Sequence, residues 1–224
     1  MIYLVSRIRT DVRTALDENK TERALLMEQD QETLDLDALI ISKIEEAAKR
    51  VELIAPHHLL ESGHNFGDSI HWERERQTSN LAGWTLLPSD FMRLVAFKMS
   101  DWERTLFEAI TPSDPLYLKQ NSRYGGVRGN PQKPVVAIVN RPEGLALEFY
   151  SCRSEAAYTE KAFYLPYPKI DADGGIDICE RCYNSVVYMT AALILTAYGD
   201  AQKAAIFETN ALTALGIVVN NQAQ

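Results

Sequence analysis

At 224 residues the chain is long enough to bury a core without disulfides or metal, and 46% hydrophobic with 24% charged residues is ordinary for a soluble globular protein. Those figures set aside disordered, collagen-like and membrane classes. A formal charge of −8 argues against a protein whose main task is to grip nucleic acid, which needs clustered Lys and Arg to displace counterions.

Three cysteines, Cys152, Cys179 and Cys182, are too few and too oddly counted for a secreted disulfide framework, so a reducing compartment is expected. Met1 to Leu16 is interrupted by Arg7, Arg9, Asp11 and Arg13 and lacks the continuous apolar run of a signal peptide. The longest apolar stretch, Val186 to Tyr198, is broken by Thr190 and Thr196 and falls short of the roughly 20 residues that span a bilayer, so no membrane association is expected.

In chain order, Ile2, Val5, Ile8, Val12 and Leu16 recur at helical spacing and predict a short first helix with Arg7, Arg13 and Asp17 at wet positions. Glu18 to Thr33 reads as a polar linker with one apolar island, Ala24 to Met27. Leu36, Ile40, Ile44, Ala47, Val51 and Ile54 form a stripe at steps of three and four, with Asp35 placed to cap the helix and Pro56 to stop it. From Trp84 to Pro166, β-branched and aromatic runs alternate with turn residues. Predicted strands are Phe91–Met99, Thr105–Ala109, Val135–Asn140, Leu145–Cys152 and Lys161–Leu165, the last two neighbouring pairs antiparallel, with Arg141-Pro142-Glu143-Gly144 as a turn.

Asp171 to Gly175 reads as a turn, after which Asp177 and Glu180 stand three apart like a capping box opening a long helix. Gly199 closes that helix and Asp200 caps the next, whose stripe of Ala201, Ala205, Leu212, Leu215 and Val219 faces a core. Val186 to Tyr198 leaves almost no wet face, so both its sides need cover, either from the chain's own elements or in part from a neighbouring subunit. The layout is α+β: a helical bundle with an inserted antiparallel β subdomain. Residues 1–80 form the first helical part, 81–169 the β insertion, and 170–224 a helical hairpin that packs with the first helices as one domain.

Several side-chain groups invite a chemical reading. Cys179-x-x-Cys182 has the spacing of half a zinc site or of a redox pair, but no second pair accompanies it, and Cys152 or His57 would have to arrive from afar. His57, His58, His64 and His71 lie close in sequence without a His-Glu-x-x-His motif. Asp171, Asp173 and Asp177 resemble the start of a calcium loop whose twelfth position is Cys182 instead of a glutamate. Tyr124 to Gly129 lacks the Lys-Ser/Thr ending of a phosphate loop, and no Gly-x-Ser-x-Gly elbow occurs. No catalytic, cofactor or metal residues are therefore expected. Arg123, Arg128 and Lys133, on a glycine-containing loop, are the candidates for contact with a neighbour or with DNA phosphates, against a merely solvated loop. The rival functional class is a small metal-binding or redox protein built on Cys179 and Cys182, or a prophage-encoded interaction module.

Leu86-Leu87-Pro88-Ser89-Asp90-Phe91-Met92-Arg93-Leu94, followed by Trp102, resembles the segment leading into the β part of the head-to-tail connector (adaptor, ring or neck) proteins of short-tailed bacteriophages, including the crAss-like group. Tyr183 to Ala214, an apolar helix, a Tyr-Gly-Asp break and an Ala-rich helix, is similar to their closing helices, and Leu116 to Pro134 to a hairpin loop of ring proteins. The resemblance implies a non-enzymatic virion protein assembled in the host cytoplasm. It also implies a closed ring, a dodecamer, stacked beneath the portal protein, touching other neck or tail ring proteins, and threaded by packaged double-stranded DNA without sequence-specific binding. An acidic lumen suits such a conduit, because it does not hold phosphates.

Overall fold

The computed structural model describes residues 1–16, 36–60, 63–67, 69–74, 81–124 and 126–218. In chain order the elements are β1 (Ile2–Leu4), α1 (Val5–Ala15), α2 (Leu36–Ile54), β2 (His64–Asn65), β3 (His71–Arg74), β4 (Leu81–Leu86), β5 (Phe91–Met99) and α3 (Pro115–Lys119). They continue with β6 (Val136–Arg141), β7 (Gly144–Cys152), β8 (Thr159–Pro166), β9 (Gly175–Asp177), α4 (Tyr183–Ala197) and α5 (Ala201–Ala214). The chain is α+β; among the described residues these strands pair antiparallel and no sheet closes into a barrel. Among the described residues, no helix is long and apolar enough to cross a membrane.

The chain divides into two compact units, Met1–Glu61 with Pro168–Gln224, and Ser62–Tyr167. The second therefore begins well before the expected position 81, because the short polar segments β2 and β3 join its sheets. Neither carries the apolar alternation that marks a strand in sequence.

In the first unit α1 buries Val5, Ile8 and Val12, and α2 buries Leu36, Ile40, Ile44, Ala47 and Val51, the faces their periodicity dictates. Ile54 is exposed, and Ile2 stands on β1, which pairs antiparallel with β9, instead of on the helix. The proposed cap Asp35, the linker Glu18 to Thr33 and Val219 lie outside the described residues. Arg13 is not a wet residue: with Arg9 it reaches Asp37 in the first turn of α2, at 2.5 and 3.1 Å, which ties the two helices together.

Helix α4 packs against α1, α2 and α5, so most of its apolar side chains are covered within its own unit, with Leu193 and Leu195 half-buried and Tyr198, at its C-terminal end, exposed. Ser185 Oγ donates to Ala211 O at 2.8 Å and pins α4 to α5, and Tyr183 Oη donates to Asp11 on α1 at 2.5 Å. Gly199 closes α4 at φ +81°, and Asp200 accepts from Lys203 N at 3.1 Å to cap α5. Of the expected stripe Leu215, at the C-cap of α5, is buried and Leu212 half-buried, but within the helix the buried residues are Ala204 and Ala211, one step round, and Ala201 and Ala205 are exposed. Alanine at both sets of positions makes the two faces hard to separate by hydrophobicity alone. Asp177 does not cap α4 either, since it lies on β9, and a 3-10 turn at Glu180–Cys182 precedes the helix.

The second unit holds a three-stranded sheet, β2-β8-β5, and a four-stranded sheet, β3-β4-β7-β6. Its core is aromatic: the rings of Phe97, Trp72 and Trp102 lie 5.5, 5.7 and 6.4 Å from that of Phe149, which is fully buried. Gly83 on β4 leaves room for Phe149, since a Cβ there would come within 2.5 Å of Phe149 Cζ.

The β6–β7 hairpin closes through Arg141 to Gly144 as expected. Strand β8 does not join β7 but pairs with β5, and β7 pairs with β4, a strand whose internal glycine hid it. The expected strand Thr105–Ala109 is an extended segment with only isolated bridges, Leu106 to Phe97 and Ile110 to Ala137, and so links the two sheets. Leu87 to Asp90 is the β4–β5 turn. Phe91 N donates to Pro88 O, and Asp90 accepts from Tyr164 Oη at 2.9 Å; burial, with this contact second, pushes the Tyr164 phenol up to about 12.

Candidate functional site

The segment between α3 and β6 is the region where sequence placed Arg123, Arg128 and Lys133. Asp114 caps α3 by accepting from Leu116 N at 2.8 Å, and Pro115 opens the helix. Gln120, only 3% exposed, then works as a staple: its Nε2 donates to Leu116 O at 2.8 Å, and its Oε1 accepts from Gly129 N at 2.9 Å. The carbonyl of Gly129 in turn accepts from Ser151 Oγ on β7, and Pro131 O accepts from Glu103 N at 2.9 Å. Asn130 Oδ1 accepts from Gln132 N and Lys133 N, each at 3.0 Å, which shapes the final turn before β6. The loop is thus held at several points by the body of the unit.

What this frame displays is a mixed apolar and basic surface. Leu116, Leu118, Tyr124 and Val127 are exposed, Leu118 to 73%. Lys119, Arg123 and Lys133 are exposed beside them, and Arg128 is half-buried. Arg123 lies 4.9 Å from the Tyr124 ring centre and donates to its hydroxyl at 2.8 Å, so the two side chains hold each other outward as one plate. Residues 115–134 contain four basic residues and no acidic one, in a chain that is strongly acidic overall. Sequence identified the three cations. The four apolar companions and the Gln120 staple were missed, because which apolar residues stay outside is decided by the backbone path.

The other groups singled out by sequence do not come together as a metal site. Among the described residues no group of three or more His, Cys, Asp or Glu is placed to hold a metal ion. Cys179 and Cys182 are buried thiols of the first unit at the 3-10 turn before α4, whereas Cys152 ends β7 inside the second unit. The buried Glu52 carboxylate accepts from Cys179 N at 2.9 Å, and burial raises its pKa above the ordinary carboxylate range although that hydrogen bond works in the opposite direction. His57 and His58 belong to the first unit, His64 and His71 to the second, where His71 stacks on Trp84 at 4.1 Å. Asp171 accepts from Asp173 N and Gly175 N at 2.9 and 2.7 Å and so closes a turn.

A polar cluster on the four-stranded sheet had no sequence signal. Arg141 donates to Glu73 at 2.9 Å and to Glu148 at 2.6 Å, and lies 4.7 Å above the Trp84 ring. Trp84 Nε1 donates to Glu73 at 3.0 Å, and Tyr150 Oη and Tyr117 Oη donate to Glu148 at 2.6 and 3.3 Å. Arg141 holds the Glu73 carboxyl below its usual range, and burial pushes the Tyr150 phenol up. These groups satisfy one another, which suits a rigid sheet surface. A shallow groove of about 380 Å³ also lies along β2 and β8, lined by Phe66, Ile70, Tyr158 and Phe163 among others.

The chain matches no protein-family model, and no curated protein sequence is significantly similar to it. The class defined by the residues themselves is therefore the coarse one: an α+β protein of two units, the second of which carries a braced, exposed, basic and apolar loop.

Proposed function

We propose that this chain is a structural virion protein, one subunit of the ring that connects a bacteriophage head to its tail below the portal. In this reading the helices of the first unit pack as a bundle that forms the wall of the ring. The β unit inserted between α2 and α4 reaches neighbouring components, and the packaged double-stranded DNA passes through an acidic channel that does not retain it. The work is done by shape and assembly, without a catalytic step or a cofactor.

The observation that supports the reading best is the loop 115–134. A segment this exposed would ordinarily shed its apolar side chains or be free to move, yet it carries Leu118, Tyr124 and Val127 outward on a frame stapled by Gln120. Apolar side chains held outward on a braced frame bind a partner with little further ordering cost. The resemblance of Leu86 to Leu94 and of Tyr183 to Ala214 to connector proteins adds to it. The apolar helix α4 adds little, since its own unit covers most of it.

Electron microscopy and mass photometry of the purified chain, alone and with the portal protein of the same phage, test the proposal. Closed rings with a central opening, a dodecamer by mass, are expected in at least one of the two preparations. A chain that stays monomeric in both, and is absent from the necks of immunolabelled virions, refutes it.

A further inference from the structure

The charge of the chain is divided between its two units. Met1–Glu61 with Pro168–Gln224 holds 19 of the 31 acidic residues but 11 of the 23 basic ones, so the whole net charge of −8 falls in the first unit. Ser62–Tyr167 is neutral, with 12 of each, and within it residues 115–134 concentrate four cations and no anion. The most basic segment and the acidic unit thus belong to different parts of the same chain.

We infer that the loop 115–134 is a docking surface whose partner is the acidic first unit of a second copy of this chain. The inference rests on the ring reading above and names the contact that would close it. Two-fold pairing through this loop would set four cations against four, with like charges facing, whereas loop-to-first-unit docking sets them against the part of the sequence that carries the whole net charge of −8, six of those charges falling in residues 17–35 and at Glu61, outside the described residues. A contact between two different surfaces of one chain is head-to-tail, and head-to-tail contacts generate rings when the rotation closes.

The loop's own composition favours a protein partner over nucleic acid. Leu118, Tyr124 and Val127 stand exposed among the cations, and a phosphate backbone offers nothing apolar to cover them. The first unit does: Ile41, Leu53 and Ile54 on α2 and Ile206 on α5 are all exposed. A duplex would in addition be repelled by the rest of the chain.

The test compares wild type with the triple variant Lys119→Glu, Arg123→Glu, Lys133→Glu. All three residues are exposed, so far-UV circular dichroism and the thermal midpoint should stay as in wild type. Mass photometry over a concentration series should show assembly of the wild type that weakens as salt is raised. The variant should need about tenfold more protein, or greater, to assemble to the same extent.

Carbodiimide cross-linking of a mixture of isotopically light and heavy wild-type chains should join Lys119 or Lys133 of one copy to carboxylates of Met1–Glu61 or Pro168–Gln224 of another. Wild type that assembles while the variant assembles equally well, or inter-copy cross-links that fall only within Ser62–Tyr167, overturns the inference and leaves the ring reading standing. Wild type that never assembles, alone or with portal protein, overturns both. Fluorescence anisotropy with a labelled DNA duplex supplies the remaining arm: duplex binding that the triple variant abolishes, without inter-copy cross-links, assigns the loop to phosphates and overturns the inference.

Discussion

Replacing Gln120 by alanine isolates the brace from the surface that it supports. The substitution removes two hydrogen bonds of 2.8 and 2.9 Å and leaves the buried Gly129 N–H without its acceptor. Each lost bond is worth about 1 kcal/mol net, and a stranded buried amide costs about 1–3 kcal/mol, so the β unit should lose about 2–4 kcal/mol. All three tryptophans, Trp72, Trp84 and Trp102, lie in Ser62–Tyr167, so their fluorescence reports that unit selectively during urea unfolding. With a urea dependence of about 2 kcal/mol per molar, the midpoint should fall by about 1–2 M. Amide exchange at Gly129 should accelerate in parallel. A shift below about 0.5 kcal/mol with unchanged exchange would mean that the loop is held by its other contacts and would refute the staple.

Two further substitutions probe the two cores. Gly83→Ala would place a methyl group 2.5 Å from Phe149 Cζ and 3.2 Å from His71 O, so it should destabilise the β unit by about 1–3 kcal/mol, read as a lower thermal midpoint in tryptophan fluorescence. Glu52→Gln keeps an acceptor for Cys179 N while removing the charge. Because burial raises the pKa of Glu52 in the folded state, its favourable contribution is present below the unfolded carboxylate pKa and is lost as pH rises through the folded value. The glutamine variant should therefore match wild type in acid and exceed it in stability at neutral pH, by about 1.4 kcal/mol for each pH unit by which the folded pKa is raised. Chemical denaturation at a series of pH values measures the difference, and a gap that widens toward acid would contradict the assigned cause.

The loop illustrates how far a site can be read before a fold is known. Arg123, Arg128 and Lys133 were legible because charge type and glycine content are properties of the residues themselves. Their apolar companions were not, since nothing in the string distinguishes the exposed Leu118 from the buried Leu147. The Arg141 cluster was equally invisible: Glu73, Trp84 and Glu148 meet through the pairing of β3 with β4 and of β4 with β7, which no local pattern encodes.

Elements whose signals are confined to a few residues are legible without the fold. The buried stripe of α2 follows from helical spacing, the Gly199-Asp200 break from a left-handed glycine and a capping aspartate, and the β6–β7 hairpin from the turn at Arg141 to Gly144. Tertiary structure alone decided that β8 pairs with β5, that the second unit begins at Ser62, that Ala204 and Ala211 face inward, and that α1, α2 and α5 together cover α4. Local periodicity states that an apolar face must be covered. Which surface covers it depends on contacts between residues far apart in the chain, whose free energy is set by packing and not by any one segment.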